Sequence, residues 1–311
     1  MDYLKLITEK FPIRRKNEQK QAFREWAVGE IRALGYQVKV EKNVAAVTHE
    51  NIVVGDPETA AVLFTAHYDT PAAFFLPNIM MPRNPVLYFL YAIGVVLVLL
   101  GGSALVMLAV GAATGNPQLA RLAWLGVYFA LLLFMNFGGK PNRNNVNDNT
   151  SGVAALMSIM ASLPEEDRAK AAFILFDNEE KGLAGSKTYA RDHQQVAYTR
   201  MTVNMDCVGV GDNILVISRK LARQHRPFAV MQRHMEAITT RKVHFFDTVG
   251  SIGNSDWKNF KCGVAVCACK KAPVVGFYTP NLHTKRDTQA DPGNIQAIAG
   301  AMSAFVQELT V

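Results

Sequence analysis

Five short stretches hold the side chains that could do chemistry: His67-Tyr68-Asp69, Asn147-Asp148-Asn149, Glu179-Glu180, Asp206 and His283. Between them they carry five carboxylates and two imidazoles. A single Asp or His at such a place is more often a helix cap or a hydrogen-bonded structural group. A succession of five is different, because burying so many carboxylates costs a great deal unless a cation neutralises them. Imidazole and carboxylate donors without thiolates suit zinc, with manganese or cobalt as substitutes. More potential ligands than one tetrahedral ion accepts suggests two ions. No G-x-S-x-G elbow offers a competing nucleophile.

Residues so far apart need elements that bring them together. EQKQAFREWAVGEIRALG places Phe23, Trp26, Ala27, Ile31 and Leu34 at helical spacing, with Gly35 as a left-handed stop. YQVKVEK, VAAVTHENIVVG and AAVLFTAHYD then read as strands, the last apolar enough to be buried on both faces. From residue 150 onward, helices and strands alternate: TSGVAALMSIMASL, AAFILFDNEE, GLAGSKTYARDH, TRMTVNMDCVG, NILVISRK, LARQHRPFAVMQRHMEAITT, KVHFFDT, AVCACKKA and PGNIQAIAGAMSAFVQEL. This pattern predicts an α/β fold with a mostly parallel mixed sheet sandwiched by helices. In such a sheet, functional groups collect beyond the carboxyl ends of the strands, where most of the five stretches fall.

Between the first and second stretches lies a long apolar insertion. Val86 to Ala113 has no charged side chain and exceeds the roughly 20 residues that cross a bilayer as a helix. Leu122 to Phe137 is shorter, about 24 Å at ~1.5 Å per residue, and spans with help from a snorkelling Arg121. We expect a transmembrane helical hairpin (helices about 86–113 and 119–137, tip TGNPQ) within an insertion at 74–141, and a single domain formed by 1–73 and 142–311. Arg83, Lys140 and Arg143 flank the hairpin against Arg121 near its tip, so the positive-inside bias puts both ends and the catalytic domain on the cytoplasmic side of the cell membrane. Because His67 and Asp69 end a central strand, the hairpin leaves from the edge of the sheet that bears these residues. The cleft and the membrane then share a side.

Composition agrees with this reading. Lys and Arg number 33 against 26 Asp and Glu, a net charge of +7, but no aromatic-interleaved basic stripe marks a nucleic-acid footprint. Attraction to anionic lipid is the better use of the charge, and no nucleic-acid partner is expected. The four cysteines form no C-x-x-C pair, and the N-terminus shows no secretory h-region, both consistent with a reducing compartment.

TAHYDT, NDNTSGVAAL, FDNEEKGLAGS, NMDCVG and LHTKRDT, in this order, resemble the metal-site motifs of the zinc-dependent aminopeptidase family with co-catalytic metals. That family also includes glutamate carboxypeptidases, glutaminyl cyclases and the inactive transferrin receptors. FPIRRKNEQKQAFREWAVGEIRALGYQV and NSDWKNF are further landmarks, so the resemblance covers nearly everything outside 74–141. It implies that His67, Asp148 and Asp206 hold one zinc and that Asp148, Glu180 and His283 hold a second, with Asp148 bridging. Asp69 would orient His67 from behind by accepting its other ring N–H. Glu179 would be the general base and acid. The resemblance also implies a non-proline cis peptide at Asp148-Asn149. Two departures stand out: Trp257 follows Asp256 where relatives commonly have His, and the gap from Asp69 to Asp148 is far longer than usual.

The expected function is therefore a membrane-anchored di-zinc aminopeptidase acting on peptides, including hydrophobic ones. The alternatives are hydrolysis of N-acyl amino acids or lipid-linked amides, and, from another class, a non-catalytic membrane scaffold. Glutaminyl cyclisation is disfavoured, because relatives that perform it need one zinc and the His67-Tyr68-Asp69 motif is intact. The remaining histidines (His49, His193, His225, His234 and His244) are expected to be structural or surface groups.

Overall fold

The computed structural model describes residues 1–44, 47–134 and 139–310. Two helices open the chain, α1 (Tyr3–Lys10) and α2 (Asn17–Ala33). The strands β1 (Val38–Val44), β2 (Thr48–Val54) and β3 (Val62–His67) follow. A two-residue strand β4 (Ile79–Met80) precedes the long helix α3 (Pro85–Thr114) and its partner α4 (Pro117–Leu133). Beyond the hairpin come α5 (Gly152–Ser162), β5 (Ala171–Phe176), α6 (Ala184–Asp192), α7 (Gln194–Thr199), β6 (Met201–Met205) and β7 (Asn213–Ser218). The chain closes with α8 (Arg226–Glu236), β8 (Lys242–Asp247), β9 (Gly263–Ala272), β10 (Gly276–Pro280) and α9 (Pro292–Glu308).

All ten strands join one mixed sheet in the order β1-β2-β5-β3-β6-β9-β10-β4, with β7 and β8 attached to β9. β3 shows why it lies at the centre: all six of its residues are buried, and they alternate between two cores. Val62, Phe64 and Ala66 face the larger core with α1, α2, α5, α8 and α9, while Leu63 faces a smaller one with Tyr189 and Val196 of α6 and α7. Helices thus cover both faces, as expected. The pairing is less parallel than expected. Parallel ladders join β5, β3, β6 and the start of β9, and β7 to β8, whereas β1, β2, β4, β10 and the β7–β9 pair run antiparallel. A short turn joins β9 to β10, and such a turn permits only antiparallel neighbours.

The hairpin forms close to its expected bounds. The Asn84 side chain caps α3 by accepting the Leu87 N–H (3.1 Å), and Pro85 takes the first-turn place where a missing N–H costs nothing. Gly115 then stops the helix at φ 65°, and Asn116 caps α4. Residues 135–137 of the expected second helix lie outside the described residues. α3 is long and apolar enough to cross a membrane, and 11 % of its most apolar stretch is buried within the protein. Its buried residues Leu99 and Ser103 and α4's Ala120 belong to helices that pack on one another, with Trp124 Nε1 donating to the Leu100 carbonyl (3.2 Å).

The neck of this insertion belongs to the central sheet. β4 pairs with the edge of β10 (Thr279 with Met80, Pro280 with Ile79), and the Phe74 N–H donates to the His283 carbonyl (2.6 Å). On the returning limb the Asn142 N–H donates to the Pro71 carbonyl (3.1 Å), and its side chain donates to the Thr284 carbonyl (3.0 Å).

Candidate active site

His67 is the last residue of β3, Asp206 follows β6, Glu179 and Glu180 start a tight turn after β5, and His283 lies in the loop after β10. Asp148 lies in the irregular turn Val146–Ser151 that leads into α5. The sheet brings these groups to one place. His67 Nε2 is 3.3 Å from Asp148 Oδ1 and 3.8 Å from Asp206 Oδ1, while His283 Nε2 is 3.0 Å from Asp148 Oδ2 and 3.4 Å from Glu180 Oε2. Donor atoms of His67, Asp148 and Asp206 all lie within 4.8 Å of one another, and so do those of Asp148, Glu180 and His283. Asp148 is common to both groups. Glu179 forms a third such group with His67 and Glu180.

The local backbone explains how these turns hold their shape. Of six non-glycine residues with positive φ among those described, five (Asn178, Leu183, Cys207, Asn281 and His283) flank or belong to these turns. Each such residue costs about 1–3 kcal/mol and persists only where its surroundings impose it. Here the NDNTSG segment shows the imposing contacts. Asn149 Oδ1 accepts the N–H groups of Gly152 (3.0 Å) and Cys207 (3.2 Å), and its Nδ2 donates to the Met205 carbonyl (2.9 Å). Asn147 Oδ1 accepts the Gly209 N–H (2.8 Å). Gly152 is required there, since a Cβ would lie 2.3 Å from both Asn149 Oδ1 and the Met205 carbonyl. The Asp148-Asn149 peptide is cis, as the resemblance implies.

Two buried carboxylates pin the turns from behind. Asp69 was expected to accept a ring N–H from His67. The other ring nitrogen of His67, Nδ1, lies 3.2 Å from the Asp69 carbonyl and 3.5 Å from its carboxylate, which also accepts the backbone N–H groups of Glu179 (2.9 Å) and Glu180 (3.2 Å). Asp287, which the sequence did not single out, does the same on the other side, accepting the N–H groups of Asn147 (2.9 Å) and Asp148 (3.0 Å). Burial pushes the Asp287 carboxyl up to about 7. Lys20, buried on α2, donates to Asp177 (2.7 Å) and Asn178 (2.8 Å) just before Glu179. Arg14, from the basic run Arg14-Arg15-Lys16, is fully buried and donates to the Tyr68 carbonyl and to Thr150 Oγ1, so it faces no lipid or anion.

The electrostatics show an excess of negative charge seeking a cation. Desolvation, with Glu180, Asp256 and Asp206 nearby, drives the Glu179 carboxyl well above the usual carboxylate range. Burial likewise raises Glu180 to about 8. His67 and His283 are raised as well, by a different cause. Burial alone would lower both, but the surrounding carboxylates raise His67 well above the normal imidazole range and His283 to about 10. Asp256 is fully buried with neither oxygen hydrogen-bonded, the Ser186 hydroxyl beside it donating instead to the Leu183 carbonyl, and burial raises its carboxyl to about 7. Asp256 belongs to the NSDWKNF landmark. Its chain neighbours Ser255 and Trp257 line the cleft.

The donors fit zinc. They are nitrogen and oxygen atoms, and Glu180 Oε1 is buried without a hydrogen-bond partner. They open onto a cavity of about 370 Å³. The other histidines are engaged elsewhere, His193 with Glu41 (3.2 Å), His234 with Glu308 (2.7 Å), His225 with Cys262 (3.1 Å), His244 with Asn213 (3.0 Å) and His49 with the Val47 carbonyl (3.0 Å).

Solved structures share the fold. Glutaminyl cyclase from Porphyromonas gingivalis is similar at 15 % identity and TM-score 0.62, over 98 % of this chain and 96 % of its own. A Zn-dependent exopeptidase from Parabacteroides distasonis is similar at 15 % identity and TM-score 0.60, over 99 % and 96 %. A leucine aminopeptidase precursor from Bacteroides thetaiotaomicron is similar at 16 % identity and TM-score 0.60, over 99 % and 95 %. No curated protein matches the chain. The model of peptidase family M28 matches residues 136–306, more than half of the chain and the part that carries Asp148, Glu179, Glu180, Asp206 and His283. The chain therefore belongs to peptidase family M28, the zinc-dependent aminopeptidase family, and is a zinc metallopeptidase.

Proposed function

We propose that this protein is a membrane-anchored di-zinc aminopeptidase that removes N-terminal residues from peptides. The observation that carries this reading is the pair of donor groups sharing Asp148, with Glu179 alongside. His67, Asp148 and Asp206 would hold one ion, and Asp148, Glu180 and His283 the other. When bound, the ions supply Lewis acidity toward the scissile carbonyl and the attacking water. Glu179 holds and moves the proton: its carboxylate accepts one from the attacking water and returns it to the leaving amine. Asp69 ties the Glu179-Glu180 turn to the end of β3, and Asp287 ties the Asn147-Asp148 turn to the loop that carries His283.

The membrane part of the proposal rests on α3 and α4. Phe89, Leu97, Leu105, Leu122 and Phe129 are all more than half exposed, an arrangement suited to acyl chains. The hairpin would anchor the chain with both ends in the cytoplasm, leaving 1–73 and 142–311 as the peptidase domain.

Metal analysis of the purified full chain in detergent tests the first part. About two zinc ions per chain, with chelator-sensitive release of N-terminal residues from peptides, is the expected result. Zinc-replete protein that leaves aminoacyl peptides intact but hydrolyses N-acyl amino acids, or cyclises N-terminal glutamine, would replace the aminopeptidase reading.

A further inference from the structure

Of the six non-glycine residues with positive φ among those described, the one away from the metal-site turns is Val274 (φ 67°), in the turn between β9 and β10. A β-branched side chain is costly in this region, where glycine or asparagine would be relaxed. Val274 is nevertheless 91 % exposed, and Val249 in the loop after β8 is 76 % exposed, so no core holds either side chain. Both tips meet the chain at consecutive residues just before α3. The Arg83 guanidinium donates to the Val249 carbonyl (2.8 Å) and to Ser251 Oγ (2.6 Å), and the Asn84 side chain donates to the carbonyls of Val274 and Val275 (both 3.2 Å). The Ile252 N–H adds a bond to the Pro82 carbonyl (2.8 Å).

These ties fix where the tips lie along the hairpin. α3 has 30 residues, about 45 Å at ~1.5 Å per residue, against about 40–45 Å for a bilayer with its headgroups. A helix of that length crossing a bilayer leaves its Asn84 end in one headgroup layer, and Val249 and Val274 with it. Cations lie on both limbs of the neck. Lys271 stands beside the β9–β10 turn, its Nζ 4.9 Å from the ring centre of Phe277. Lys140 and Arg143 are exposed on the returning limb, and Lys285 and Arg286 on the His283 loop, to which that limb is bonded through Asn142 and Asn144. None of these is in an ion pair among the described residues. The exposed acid Asp247 is engaged by the Val249 N–H (2.9 Å).

We propose that this rim is a docking surface for an anionic lipid leaflet, with Val249 and Val274 entering the headgroup layer and the neck's lysines and arginines meeting its negative charge. Lipid is the occupant because the rim is continuous with the exposed apolar residues Val86 and Phe89 at the start of α3 and carries the sign of charge that an anionic leaflet attracts. Met80, Pro82 and Tyr88 of the same neck line the cavity with His67, Glu179 and His283, so docking keeps the cavity close to the leaflet instead of letting the domain swing on its tether. The inference rests on the hairpin crossing a bilayer, but a hairpin could cross with the domain held clear of the surface.

The test uses the full chain in nanodiscs containing nitroxide-labelled lipid, which quenches a bimane probe placed on single introduced cysteines. Leu105→Cys reports the hairpin, Val249→Cys and Val274→Cys report the rim, and Tyr198→Cys reports α7, beyond the opposite end of β9. The native thiols are buried or half-buried, and labelling of the unchanged chain gives their background. In discs of phosphatidylcholine with phosphatidylserine, quenching is expected at 105, 249 and 274 and not at 198. Lys271→Glu with Lys285→Glu, read at 249, is expected to lower the ratio of docked to free domain by about fivefold or more for each lysine replaced, and omitting phosphatidylserine acts in the same direction. Quenching at 105 with none at 249 and 274 overturns the proposal and leaves the hairpin in the bilayer. A probe at 274 shielded from water yet unquenched, as under a second copy of the chain, overturns it as well, and so does rim quenching indifferent to phosphatidylserine and to both substitutions. No quenching at 105 retires the membrane reading itself, and the rim with it.

Discussion

The floor of the cleft and the surface of the hairpin bury opposite kinds of atom. In the floor, His67, Asp69, Asp148 and Asp256 are 1 %, 2 %, 5 % and 0 % exposed, so charge is removed from water. On the hairpin, Leu97, Leu105 and Leu122 are 61 %, 67 % and 67 % exposed, so hydrocarbon is left uncovered. Either arrangement would be costly with only protein and water for company. Each suits a partner that is not protein: divalent cations for one, lipid for the other. The family establishes zinc for the first, and lipid for the second is our proposal.

Four experiments break or sharpen that contrast. Stripping the ions with a chelator attacks the floor, and is expected to abolish hydrolysis. It should also lower stability by about 4 kcal/mol for each ion held at about a thousand times its Kd. An unchanged thermal midpoint after complete stripping would mean that the carboxylates are satisfied without cations. The corresponding attack on the hairpin is Leu97→Asp together with Leu105→Asp. In a bilayer each central Asp costs about 2.5–3.5 kcal/mol, so the carbonate-resistant membrane fraction should collapse. On a surface bathed in water the same changes are worth about 0.5 kcal/mol or less, and the fraction would not move.

Glu179→Gln separates chemistry from ion binding within the floor. Turnover is expected to fall by about 10²–10⁴-fold while the zinc content of the purified variant stays at the wild-type level. Loss of zinc in this variant would make Glu179 a ligand rather than a proton carrier. The mildest probe is Asp287→Ala, which leaves the Asn147 and Asp148 N–H groups without their acceptor at a cost of about 1–3 kcal/mol. Denaturant midpoints should register it, and Asp69→Ala should cost a similar amount through Glu179 and Glu180. A neutral Asp287→Ala would show that water replaces the acceptor there.

How much of this was legible in the sequence depended on how local the signal was. The five polar stretches, the central strands and the hairpin were readable because each is marked by neighbouring residues: a His-x-Asp after an apolar run, period-two alternation, a long charge-free stretch. What escaped was pairing across distance. Lys20 looks like the polar face of an amphipathic helix, and nothing nearby in sequence reveals that it meets Asp177. Asp287 serves as a backbone acceptor, a role that any loop aspartate can fill, so its spacing is uninformative. β4 and β10 are too short to show periodicity, and strand direction leaves no mark in a period-two pattern, which is why the mixed sheet reads as more parallel than it is. Helices α1 and α7, at eight and six residues, fell below the length at which helical spacing stands out.

The neck of the insertion has a practical consequence for anyone wishing to make a soluble form. Cutting at residues 74 and 141 would remove an edge strand, the Phe74 hydrogen bond to the His283 loop and part of the cavity wall along with the hydrocarbon. A cut that keeps the strap through Arg83 and replaces only α3 and α4 preserves the edge strand, that hydrogen bond, Met80 and Pro82, but it still gives up Tyr88. A form without the two helices would therefore also be a form with an altered cavity lining.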